Sequence, residues 1–169
     1  MNYYNEIKTE IINNEITKKV KDYSKNKSDL NTYYNVGKLL SEAGKHYGEG
    51  IIKEYSKRLT KDLNKKYSII ILYKIKKYYN YISSQKVPTM SAKLLWSHYD
   101  EILKLDNYNE INYYIKISEE QNLSVRELRS KIKNNEYERL DDKTKEKLKE
   151  NKINNEVTDY IKNPILINN

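Results

Sequence analysis

"YSIIILYKIKKYYNYI" runs from Tyr67 to Ile82, and whether it forms a strand or a helix decides the fold. Its opening, "YSIIILY", is β-branched or aromatic at most positions and by propensity alone suits a strand. The continuation, "KIKKYYNYI", keeps apolar residues three and four apart for longer than a strand runs, so the segment reads as a helix. Ser68 offers a capping oxygen at its start. The spacing then places Ile71, Ile75, Tyr78, Tyr79 and Ile82 inward, and Ile69, Ile70, Tyr73, Lys77, Asn80 and Tyr81 outward.

The rest of the chain keeps the same period. Only four Gly and two Pro interrupt 169 residues, so helix is expected almost throughout. Residues from about Tyr3 to Tyr23 put Tyr3, Ile7, Ile11, Ile16 and Val20 on one stripe, and "SKNKSDLN" breaks or bends that helix. A second helix is expected from about Asp29 to Ala43, with Leu30, Tyr34, Gly37 and Leu40 inward and Gly44 as its stop. From Ile51 to Leu63, Ile52, Tyr55, Leu59 and Leu63 form an apolar seam, with Lys53, Lys57 and Lys61 on the opposite face. "SSQKVPT" is a loop, because Pro88 denies helical geometry to the residue before it. Further helices are expected at about Ser91 to Leu105 and Glu110 to Gln121. Ser124 and Glu127 then form a capping box for one carrying Val125, Leu128 and Ile132 inward. "DDKTKEKLKENK" has a single apolar residue, Leu148, and reads as a solvated helix or linker. The expectation is an all-α protein with a helical domain over 1–140 and a charged extension over 141–169.

Composition removes several function classes. With no cysteine there are no disulfides, thiolate metal sites or Cys nucleophiles. Polar residues interrupt every apolar run of "NYYNEIKTEIINNEITKKV", so no secretory or membrane segment can be drawn and a cytoplasmic protein is expected. Eighteen Tyr and no Phe make tyrosine the aromatic core residue, and each buried hydroxyl then needs a partner.

Charge is concentrated. Lys and Arg outnumber Asp and Glu by 32 to 24, a net +8. Between Ile51 and Ile82, Lys53, Lys57, Arg58, Lys61, Lys65, Lys66, Lys74, Lys76 and Lys77 face only Glu54 and Asp62; nine minus two leaves +7 in one stretch. Two short helices that carry nearly all the excess charge have the form of a helix-turn-helix unit docking on phosphates.

The order of motifs adds a resemblance. "YYNVGKLLSEAGKHYGEGIIKEYSKRLTKDL", "YSIIILYKIKKYY", "LLWSHYDEILKL" and "INYYIKISEEQNLSVRELRSKIKNNEYERL" together resemble the helical N-terminal domain of the YhcG-like nuclease family, domain of unknown function family 1016, from about Tyr33 to Leu140. The pieces that carry it are Gly37, Tyr47 with Gly48, "WSHY" at Trp96 to Tyr99, and "SVREL" at Ser124 to Leu128. The resemblance implies a presumed helix-turn-helix, DNA-binding domain of the kind joined to a C-terminal PD-(D/E)XK nuclease in restriction and defence systems of bacteria or phage. Two departures stand out. Where the family has glycine, an aromatic, serine and polar residues, this chain has Lys66, Tyr67, Ser68, Ile69, Ile70 and Ile71, which offer little for direct base readout. "TDYIKNPILINN" resembles the linker ahead of the nuclease, and the nuclease itself is expected to be absent.

"WSHY" and "SVREL" have ordinary explanations. Trp96, Tyr99 and Leu103 share an apolar helix face, while His98 has only His46 as a second histidine, which signals neither a metal site nor a triad. His98 is left to contact solvent, a partner or phosphate. Capping and burial account for all of "SVREL" except the outward Arg126 and Arg129, which either extend a basic surface or pair with Glu119 and Glu120.

Two readings therefore stand beside a distant enzyme. In the first, the chain is a non-catalytic DNA-binding module: Lys53, Lys57, Arg58, Lys61, Lys65 and Lys66 hold phosphates, Lys74 and Lys77 support them, and Ser68 caps the second helix. In the second it is a protein-interaction or inhibitory module that dimerises or blocks a nucleic-acid-binding defence complex such as a CRISPR effector, through Ile69, Ile70, Tyr73 and Tyr81. Neither calls for catalytic residues, a metal, a cofactor, a small-molecule substrate or a membrane.

Overall fold

A computed structural model describes residues 2–20, 25–85, 91 and 93–150. Among the described residues there are eight α-helices and no strand: α1 (Tyr3–Val20), α2 (Lys25–Tyr47), α3 (Gly50–Asp62), α4 (Ile69–Ser84), α5 (Trp96–Ile102), α6 (Tyr108–Glu120), α7 (Val125–Lys133) and α8 (Asp142–Glu150). None is long and apolar enough to cross a membrane. The expected loop at Pro88, the first helix's end at Tyr23 and the linker-like "TDYIKNPILINN" lie outside the described residues. Two compact units divide at Lys104 and Leu105.

In the first unit α2 is the hub, packed against α1, α3, α4 and α5. Ile7 and Ile11 of α1, Val36, Leu40 and Ala43 of α2, Ile52 and Leu59 of α3, and Leu72 and Ile75 of α4 meet in one core. Each fully buried Ile or Leu contributes about 1.5–3 kcal/mol. The α2–α4 crossing is close because Gly37 has no side chain. A Cβ there would lie 2.5 Å from the Ile75 carbonyl oxygen and 2.6 Å from the Tyr79 Cβ. Nothing larger than hydrogen fits without parting the helices.

Several expectations shift. The second helix runs past Gly44 to Tyr47, because Gly48, at φ +84°, takes the left-handed stop. On α1 the buried stripe is Tyr4, Ile7, Ile11 and Asn14, and Ile16 is exposed. Asn14 occupies the core position and donates its amide to Asp29 at 2.8 Å. On α4 the inward set is Leu72, Ile75, Tyr78, Tyr81 and Ile82. Ile71 is 39% exposed. Tyr81, placed outward by the wheel, is only 5% exposed, and Ile69 packs against the core. Apolar residues fill 69–73 on every side of the helix, so periodicity alone leaves its rotation open; the Gly37 contact sets it.

The second unit comprises α6, α7 and α8, with α6 packing on both others. Ser124 and Glu127 close the expected capping box, with Glu127 N–H donating to Ser124 Oγ at 3.3 Å and Ser124 N–H to Glu127 Oε2 at 2.8 Å. The Ser124 hydroxyl, donating to Glu127 Oε2 at 2.6 Å, and after it the Ser124 N–H hold the Glu127 carboxyl below its usual range. Leu128 and Tyr137 are buried, and the Tyr114 hydroxyl donates to the Lys131 carbonyl while accepting from the Tyr137 N–H, each at 3.3 Å. Arg126 and Arg129 are exposed.

Candidate nucleic-acid interface

Helix α3 is amphipathic by construction. Ile52, Tyr55 and Leu59 are buried, and the four-residue steps from Lys53 to Lys57 to Lys61 keep three ammonium groups on the exposed side. At 1.5 Å per residue the stripe covers about 12 Å of helix axis. Lys53, Lys57, Lys61 and the exposed Lys66 have no ion-pair partner among the described residues. Arg58 is engaged: its guanidinium bonds Glu54 at 3.2 Å and lies 3.6 Å above the Tyr4 ring.

The underside of α3 is clasped to α1. Asp62 accepts from the Tyr4 hydroxyl at 2.6 Å and from Lys8 at 2.9 Å. These bonds hold its carboxyl below the usual value. Burial, followed by Asp62, pushes the Tyr4 hydroxyl up to about 12.

Residues 63–68 join α3 to α4. Asn64 takes the left-handed conformation at φ 48°. Two hydroxyls of α3 then staple the turn: Ser56 donates to the Tyr67 carbonyl at 2.6 Å, and the Tyr67 N–H donates to Thr60 at 3.1 Å. The Tyr67 ring is buried as a result, and Lys65 and Lys66 are left at the surface. Ser68 caps α4 as expected, accepting from the Ile71 N–H at 3.3 Å.

The lysines beyond the turn are differently placed. Lys65 pairs with Glu15 at 2.8 Å, which raises its pKa. Lys74 pairs with Asp100 of α5, Lys76 with Glu49 ahead of α3, and Lys77 is half-buried and engaged. The nine cations read as one surface thus separate into a set without ion pairs among the described residues, Lys53, Lys57, Lys61 and Lys66, and an engaged set, in which Arg58, Lys65, Lys74 and Lys76 bind the protein's own carboxylates.

Of the four residues proposed for protein contact, Ile70 and Tyr73 are exposed at 65% and 42%. Ile69 and Tyr81 belong to the packed side. His98 is buried and its Nδ1 accepts from the Leu95 N–H at 3.1 Å, which makes it a capping group of α5 and withdraws it from solvent. Trp96 is half-buried against Tyr33 and Tyr78, with ring centroids 4.5 and 5.7 Å apart.

A cavity of about 470 Å³ opens beside the turn. Lys65, Lys66 and Lys74 line it together with Tyr33, Trp96, Thr32 and Ser97, and Glu15 and Asp100 sit among the lysines. Apart from Lys65, Lys66 and Lys74, none of these was expected from sequence to bind a ligand, Trp96 being read as a core residue, and they scatter from α1 to α5 with no spacing that links them. Among the described residues no group of three or more His, Asp or Glu is placed to hold a metal ion.

The DUF1016 N-terminal domain family model matches residues 6–139. No curated protein and no solved structure matches the chain.

Proposed function

The chain belongs to the DUF1016 N-terminal domain family, and from that premise we propose that it is a non-catalytic DNA-binding module that docks α3 on the phosphate backbone. The observation that carries this is the unpaired stripe of Lys53, Lys57 and Lys61, continued by Lys66 in the turn. Ammonium groups without an intramolecular carboxylate are the ones that displace condensed counterions when they meet phosphates, and that release drives binding. α3, the stapled turn and α4 serve as a helix-turn-helix-like unit. In it, the start of α4 presents Ile70 and Ile71, which carry no hydrogen-bonding atoms for base edges, so recognition is of the backbone more than of sequence.

The test is binding of the purified chain to a labelled random-sequence duplex across a salt series, beside Lys57→Glu with Lys61→Glu. Affinity is expected to fall linearly with salt on logarithmic axes and the variant to lose it. Absence of binding at low salt overturns the proposal. A protein-interaction role is the second reading, favoured by the exposed Ile70 and Tyr73 one turn apart on α4. Ile70→Ser with Tyr73→Ser separates the two, since it spares phosphate docking but removes a partner or dimer contact.

A further inference from the structure

Resting on the DNA-docking reading, we propose that the cavity beside the α3–α4 turn takes one unpaired nucleotide of a single strand, its base against Trp96 and Tyr33 and its phosphate on Lys66. Three features of the cavity support this. Its size, about 470 Å³, falls in the range of small-ligand sites and admits an aromatic base. Its wall contains the half-buried, mutually tilted rings of Trp96 and Tyr33, and stacking on such rings is the sequence-tolerant way proteins hold unpaired bases. Thr32 lines it at only 7% exposure, and its hydroxyl makes no hydrogen bond among the described residues. That hydroxyl opens onto the cavity and is available to bond a base edge there.

The charges fit the same occupant. Glu15 and Asp100 are neutralised by Lys65 and Lys74, so Lys66 is the lining cation left for a phosphate. In chain order the α3 stripe leads through Lys57 and Lys61 to Lys66, a track that suits a polyanion entering the cavity at one of its nucleotides. A base paired and stacked in a duplex cannot enter, so the strand is single at that point.

Trp96 is the chain's only tryptophan, so its emission reports on this cavity alone. The full chain is titrated with a short oligothymidylate while Trp96 emission is followed under excitation that tyrosine does not absorb; duplex binding is followed separately by anisotropy. Saturable quenching is expected. Thr32→Val, which keeps the shape and removes the hydroxyl, should weaken the oligothymidylate titration about fivefold and leave the duplex titration unchanged. Duplex binding with no change in Trp96 emission overturns the cavity proposal and leaves backbone docking standing. Quenching without duplex binding supports the cavity and overturns duplex docking, and neither signal overturns both. Quenching that is the same in Thr32→Val and in Lys66→Gln as in the parent places the strand elsewhere and also overturns the proposal.

Discussion

Lys53, Lys57 and Lys61 on α3 and Lys74, Lys76 and Lys77 on α4 are the same side chain on neighbouring helices, yet they do different work. The α3 lysines stand clear of every described carboxylate. Their α4 counterparts are half-buried, with Lys74 tied to Asp100 and Lys76 to Glu49. The helices are also held differently: α4 by a close backbone crossing at Gly37, α3 by an apolar seam and the Asp62 clasp to Tyr4 and Lys8. A count of lysines therefore overstates the charge available to a polyanion. Those with a carboxylate in reach are already neutralised and have fewer counterions to release.

Charge reversal on the two helices gives the largest separation. Lys57→Glu with Lys61→Glu should cost on the order of a hundredfold in duplex affinity at low salt and flatten the logarithmic salt slope by about two. Lys74→Glu with Lys76→Glu should lower the unfolding midpoint, because it sets glutamates against Asp100 and Glu49, and leave the slope near that of the parent. Equal slopes in the two variants would break the comparison. Next, Gly37→Ala should part α2 from α4 and cost about 1–3 kcal/mol in urea unfolding; an unchanged midpoint would show that the crossing relaxes freely.

A smaller effect of opposite sign is expected at Tyr78. Its ring is fully buried on α4 and its hydroxyl finds no partner among the described residues, so burial pushes its pKa up. Tyr78→Phe should stabilise by about 1 kcal/mol, and a loss of stability in the same unfolding experiment would contradict this. The smallest effect belongs to the α3 clasp. Because Asp62 titrates below its ordinary value, its contribution is complete above that value and is lost as pH falls through the lowered one. Comparing acid unfolding of the parent with Asp62→Asn should show the variant missing that part of the pH dependence; identical acid transitions would mean the clasp contributes nothing.

Much of the first unit was legible locally. The α3 seam of Ile52, Tyr55 and Leu59 and the Ser68 cap, like the Ser124–Glu127 box of the second unit, depend on residues within one or two turns of each other, and the observed contacts match the spacing. The rotation of α4 was not legible, because Ile69, Ile70, Ile71, Leu72 and Tyr73 surround the helix with apolar groups and only the neighbouring helix chooses among them. Nor was the role of His98, since imidazole suits a cap, a ligand or a surface contact equally until the Leu95 N–H is placed beside Nδ1. The rule that every buried tyrosine hydroxyl finds a partner holds for Tyr114 and, among the described residues, fails for Tyr78.

By itself the sequence determined an all-helical chain, the concentration of positive charge between Ile51 and Ile82, and the helix boundaries that capping residues mark, because periodicity, net charge and capping are local properties of consecutive residues. Tertiary structure alone decided which lysines remain unpaired, why Gly37 must be glycine and that Thr32, Lys66 and Trp96 share one cavity. Carboxylates, backbones and rings from helices far apart in the chain meet only when those helices pack.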